Sequence, residues 1–193
     1  MQRMDEIRNS IKITAADCQS ASKALAVIDP FISYKNIGDL QGDSYTPGIV
    51  SIITDKLCRY AIICLRRIWD ERRGVASLKN ILGKMKREPS LSQEELQTLV
   101  DMYKDLCLMG KRVRNFSGDY LAHSSGKPQI ESSSFTPQEL ADFHRQTCKL
   151  VDAIYELANG KPSGLQGAFE VWCGDALRDW AELLGRDDLT ELA

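Results

Sequence analysis

Histidine is scarce in this chain: there are two, His123 and His144. Any imidazole chemistry is therefore confined to those positions. Long apolar runs are missing as well. The richest stretch, Tyr60 to Leu65, falls far short of the roughly 18 residues a membrane span needs, which argues against an integral membrane protein. The opening MQRMDEIRNS has no apolar signal-peptide core, so export by that route is not expected and the cytoplasm is the default compartment. The six cysteines, at 18, 58, 64, 107, 148 and 173, form no CxxC pair and no zinc-ligand spacing. They read as reduced, small core residues, and no metal or other cofactor is expected. There is no phosphate-binding glycine loop, no internal repeat and no convincing β-strand pattern.

What is present suits one soluble domain. The chain has 193 residues, 43% hydrophobic and 27% charged, enough for a sizeable core and too apolar for global disorder. The net charge of −2 conceals an asymmetry: residues 56 to 87 carry 10 basic and 2 acidic side chains, a local +8. Such a block could meet a polyanion such as RNA. Solvated helix faces neutralised by acidic segments packed nearby would account for it equally.

Helical periodicity dominates. Ile7, Ile11, Ala15, Cys18, Ala21, Leu25 and Ile28 recur at three and four residues, predicting a helix over about 4–28 with Pro30 just beyond it. After a glycine-rich connection over 36–48, a second helix is predicted over 49–72, apolar around much of its circumference. Ser77 offers an N-cap for the short helix SLKNILGKM. Ser92 with Glu95, and Thr136 with Glu139, have capping-box spacing and open two further long helices. The first turns Leu96, Leu99, Val100, Tyr103, Leu106 and Cys107 inward. The second turns in Leu140, Phe143, Cys148, Val151, Ile154, Tyr155 and Leu157. Gly110 and Gly118 weaken the pattern, and SSGKPQIESSS over 124–134 reads as a loop. A last amphipathic helix covers about 165–184, its Trp172 and Trp180 serving as core or interface anchors.

His144, beside Phe143 on an amphipathic helix, reads as structural or surface. His123 ends the string NFSGDYLAH beside a polar loop, where it can meet a ligand. Arg66, Arg67 and Asp70 surround Trp69. An adjacent arginine pair cannot turn both side chains into the core, so Arg67 is expected to pair with Glu71 at i,i+4, with Arg66 left for an RNA backbone or a dimer salt bridge.

Two strings and the spacing between them, LRRIWDERRGVASLKNIL over 65–82 and DYLAHS over 119–124, resemble the AbiU-like branch of the HEPN superfamily across roughly residues 50–158. The resemblance implies an all-α HEPN-like bundle with a four-helix core and one or two extra helices. The domain would span 1–193, with its core at about 50–158 and a C-terminal amphipathic segment at 165–193. It further implies a metal-independent endoribonuclease, a toxin or abortive-infection effector that works as a homodimer, with RNA as substrate and a cognate antitoxin protein as a partner. In the family motif an arginine precedes a histidine by four to six intervening residues. The histidine moves a proton to or from ribose oxygens, and the arginine stabilises charge growing on the phosphate.

This chain departs from that motif. The slot with five residues between it and His123 holds Ser117, and the nearest arginine, Arg114, has eight residues between. On an unbroken helix nine steps turn through about 900°, placing Arg114 and His123 on opposite faces. Asp119, four residues before His123, could orient its imidazole or form an ordinary surface pair. The catalytic candidates are thus His123, Ser117, Asp119 and Arg114, and the RNA-binding candidates Arg66, Arg72, Arg73, Lys111 and Arg112. Activity is expected to be absent or weakened, through a naturally degenerate motif or a deliberate silencing substitution. Asn115, Asp119 and His123, all intact, favour the second. The alternative is a non-catalytic HEPN dimerisation scaffold or an antitoxin-like partner.

Overall fold

The computed structural model describes residues 2–33, 46–118 and 135–184, with backbone alone at 2, 31–33, 46–51, 181, 183 and 184. Among the described residues there are six helices and no strand: α1 Gln2–Ser33, α2 Thr46–Ile68, α3 Leu78–Met85, α4 Gln93–Phe116, α5 Pro137–Asn159 and α6 Leu165–Leu184. The long helix α1 packs against α2, α5 and α6, while α4 joins α5 and α2 from the other side. The bundle is all-α, as its periodicity predicts.

The apolar faces read from the spacing form the core. Ile7, Ile11, Cys18, Ala21, Leu25 and Ile28 of α1 are fully buried, joined by Leu65 and Ile68 of α2, Ile81 of α3, Leu96 of α4, Phe143 and Ile154 of α5 and Phe169 of α6. Burying each such side chain contributes on the order of 1.5–3 kcal/mol. Pro30 lies inside the last turn of α1, which runs about five residues further than expected. Its missing N–H there removes a hydrogen bond close to the helix end, where least is lost.

Capping sets the starts of α4 and α5. Ser92 Oγ accepts from the Glu95 N–H at 3.3 Å. Thr136 and Glu139 close a reciprocal box, with Glu139 N–H donating to Thr136 Oγ1 at 3.1 Å and Thr136 N–H donating to Glu139 Oε2 at 2.9 Å. Ser77 holds the N-cap position of α3, yet its hydroxyl makes no capping bond and is buried without a partner. Gly160 ends α5 in the left-handed conformation, φ 73°.

The larger departure from expectation is at the end of α2. Regular helix stops at Ile68, four residues short of the predicted limit. The Asp70 carboxylate turns back to accept the Arg72 backbone N–H at 2.8 Å, a local bond that competes with the helical ladder. Asn80 Nδ2 then donates to the Arg72 and Val75 carbonyls, pinning the turn that leads to α3.

Candidate functional site

Trp69 organises the region where α2 ends. Its ring is buried between Tyr103, stacked at 5.2 Å, and Phe143 at 5.3 Å, and its Nε1–H donates to Thr147 Oγ1 at 3.2 Å. With the indole locked inward, its carbonyl points outward and accepts from Arg114 Nη1 at 2.8 Å. Arg114 Nη2 also meets Glu71 Oε1 at 3.0 Å. The last turn of α4 is thereby tied to the end of α2.

An open recess forms there, lined by Arg66, Asp70, Glu71, Arg72 and Arg114. Arg72 engages Asp70 through Nε and Nη2, and this hydrogen bonding holds the Asp70 carboxyl below its ordinary range. Arg66 makes no ion pair with any described residue. Three guanidiniums against two carboxylates leave the recess net positive. Arg114 spends two of its N–H groups on Trp69 and Glu71, so donors remain for a ligand. Planar guanidiniums with spare donors suit the paired oxygens of a phosphate.

The sequence-derived candidates separate. Arg66, Arg72 and Arg114 come together. Arg73 is exposed on the turn beside them but does not line the recess. Arg112 lies elsewhere, stacked over Phe135 at 4.7 Å and paired with Glu139 at 3.4 Å, and Lys111 is exposed on the same helix. Two residues on a helix differ by about 200°, which is why Arg112 and Arg114 face apart. Ser117 is fully buried, its hydroxyl donating to the Arg114 carbonyl at 2.9 Å. His123 and Asp119 lie outside the described residues. Regular α-helix stops at Phe116 and a wider, π-type turn follows at Ser117 and Gly118. The opposite-face placement expected for Arg114 and His123 applies to an unbroken helix, and His123 lies outside the described residues.

One expected pairing is corrected. Arg67 pairs with Asp17 of α1 at 3.1 Å, while Glu71 pairs with Arg114 and, at 3.5 Å, with Lys79. The i,i+4 rule needs four continuous helical residues, and α2 ends one residue after Arg67. Sequence reasoning therefore missed Glu71 and the Trp69 carbonyl as parts of the site. The break signal was available in Asp70, whose side chain favours turns. The second histidine, His144, is fully buried between α1 and α6, as a structural residue would be.

Among the described residues no helix is long and apolar enough to cross a membrane. A family model for HEPN domains, described as AbiU2, matches residues 5–191, taking in α1 and α6 together with the helices between them. No curated protein and no solved structure matches the chain.

Proposed function

The chain belongs to the AbiU2 family of HEPN domains, an abortive-infection type, and on that premise we propose that it acts on RNA through the arginine recess. The observation that carries this is the convergence of Arg66, Arg72 and Arg114 at the end of α4, five residues of chain before Asp119 and nine before His123. In this reading the recess holds an RNA phosphate. His123 shuttles the proton of the ribose 2′-OH, Asp119 orients it, and no metal takes part. Ser117 stands at the arginine slot of the motif and carries no charge, so cleavage is weakened or lost. Arg114, already beside the recess, supplies what phosphate stabilisation remains.

Two protomers complete the assembly. Its support is the face of α2 that exposes Ile52, Tyr60 and Ile63 and runs toward Arg66. A cognate antitoxin would bind the same assembly.

A second reading, a non-catalytic HEPN scaffold, is favoured by Ser117 itself. Its small hydroxyl is fully enclosed and satisfied, as a residue suited to its place would be.

RNA binding tests the proposal. The protein should retain a single-stranded RNA oligonucleotide in filter binding at 50 mM salt, and Arg66→Glu with Arg72→Glu should weaken it at least tenfold while leaving the circular dichroism helical. Retention unchanged in the double variant would sink the assignment of the recess, and no retention by the parent protein would leave the scaffold as the better account.

A further inference from the structure

A second recess, of about 460 Å³, opens where α1, the end of α5 and the start of α6 meet, and it shares no lining residue with the arginine recess. That volume lies in the range that holds a small molecule. Its floor is made of small residues, Ala15 and Ala16 of α1 with Gly164 and Ala168 across from them, so no large side chain fills the gap between the helices. Tyr155 of α5 and Trp172 of α6 supply aromatic walls. Lys12 and Lys161 line it as well; neither forms an ion pair with a described residue, and no carboxylate is among the lining side chains. Lys23 Nζ sits over the Trp172 ring, 5.4 Å from its centroid, and adds a third positive charge. The RNA chemistry proposed above uses none of these residues.

We propose that this recess binds a small aromatic anion, a flat ring system carrying one carboxylate or phosphate group. The ring lies on the alanine floor against Trp172 and Tyr155, and the anionic group faces Lys12 and Lys161. Each half of the ligand answers one half of the lining. Lysine ammonium groups are compact point charges that accept either anion, without the paired geometry an arginine imposes. An indole and a phenol both gain by packing against another ring. The Gln19 amide and the Tyr155 hydroxyl add neutral hydrogen-bonding groups that orient what is bound.

The wall that carries Lys161 is fixed before any ligand arrives. Gly160 and Gly164 hold left-handed backbone, φ 73° and 79°, on either side of Pro162. The Asp152 carboxylate accepts from the Ser163 hydroxyl and from the N–H groups of Leu165 and Gln166. Those bonds already answer the positive end of α6, so the lysines, and not the helix terminus, attract the anion. Arg8 Nε donates to the Ala158 carbonyl at 3.3 Å, tying α1 to the last turn of α5. A site held in this way loses little binding energy to ordering.

The test titrates the full chain with 1-naphthyl phosphate and with 1-naphthoate, followed by nitrogen–proton NMR. The Trp172 indole N–H, assigned through Trp172→Phe, should shift saturably with at least one of them, and the tighter probe names the anion. The Trp69 indole, enclosed in the core, should stay in place. Lys12→Ala with Lys161→Ala should weaken binding at least fivefold, since two exposed charge contacts of ordinary strength are lost. Ala16→Leu, which fills the floor and leaves every charge in place, should abolish it. All three positions are exposed, so these variants should keep the parent's melting curve. Equal shifts from neutral 1-naphthalenemethanol, or from inorganic phosphate alone, would overturn the proposal. So would shifts centred on Arg72 and Arg114, binding unchanged in either variant, or a Trp172 indole that neither probe moves.

Discussion

Gly110 lies flat against the indole of Trp69, so close that a Cβ there would fall 2.7 Å from Cδ2 of the ring. The ring cannot yield. Tyr103 and Phe143 hold its faces, and Thr147 holds its nitrogen. This single contact lets α4 approach α2, and through the Trp69 carbonyl it sets where Arg114 sits.

Gly110→Ala should therefore destabilise the protein, although alanine is the better helix former by about 1 kcal/mol. Overpacking at a rigid ring typically costs about 1–3 kcal/mol and should win. A urea melt checks the sign, and a stabilised variant would show that Trp69 moves freely.

On the proposed nuclease reading, Ser117→Arg supplies a charge at the arginine slot, and one such contact at a phosphate is worth about 3–4 kcal/mol, roughly 100- to 1000-fold in rate. RNA cleavage in EDTA should rise accordingly, and Ser117→Arg with His123→Ala should show none of it. Because Ser117 is enclosed, the arginine variant should also melt lower than the parent. Intact RNA with a folded Ser117→Arg protein would reject the silenced-nuclease reading.

Asp17 is buried with Oδ2 unpartnered, and burial raises its carboxyl above the ordinary range against the lowering pull of Arg67. A raised acid favours the folded state fully below its unfolded value of about 3.9, and that contribution is lost as pH climbs through the folded value. Asp17→Asn should hence be neutral or stabilising at pH 7, with the parent regaining ground on acidification toward pH 4. Arg67→Ala should be destabilising at pH 7, because it leaves a buried carboxylate alone. Paired melts of the three proteins at pH 4 and pH 7 decide the matter, and a large loss from Asp17→Asn at pH 7 would contradict it.

Asp152 of α5 accepts from the N–H groups of Leu165 and Gln166, at 3.2 and 3.0 Å, and from the Ser163 hydroxyl. It caps α6 from a neighbouring helix. Asp152→Ala should cost about 1–2 kcal/mol, the value of a lost helix cap, and should speed hydrogen exchange in the first turn of α6 ahead of the other helices. Uniform exchange across the bundle would speak against a local role.

Ile63→Asp puts a charge in the exposed apolar face of α2. If that face joins two protomers, light scattering should give a dimer for the parent and a monomer for the variant at micromolar concentration. A parent monomer would remove the dimer from the proposed function.

Local rules along the chain establish the helical bundle, the buried faces of α1, α4 and α5, and the N-caps Ser92 and Thr136 that open α4 and α5. Those are local matters. A period of three and four residues, or a serine three residues before a glutamate, acts through neighbours along the chain. The end of α2 was half legible: Asp70 was in view, but the apolar run through Trp69 hid its power to stop the helix. Long-range packing sets the rest: Arg67 turns to Asp17, Arg114 binds the Trp69 carbonyl and Glu71, and Ser22 meets His144. Each of these joins residues tens of positions apart. No spacing rule reaches that far, because the partner is chosen by how helices cross and by which buried polar group would otherwise be left unsatisfied.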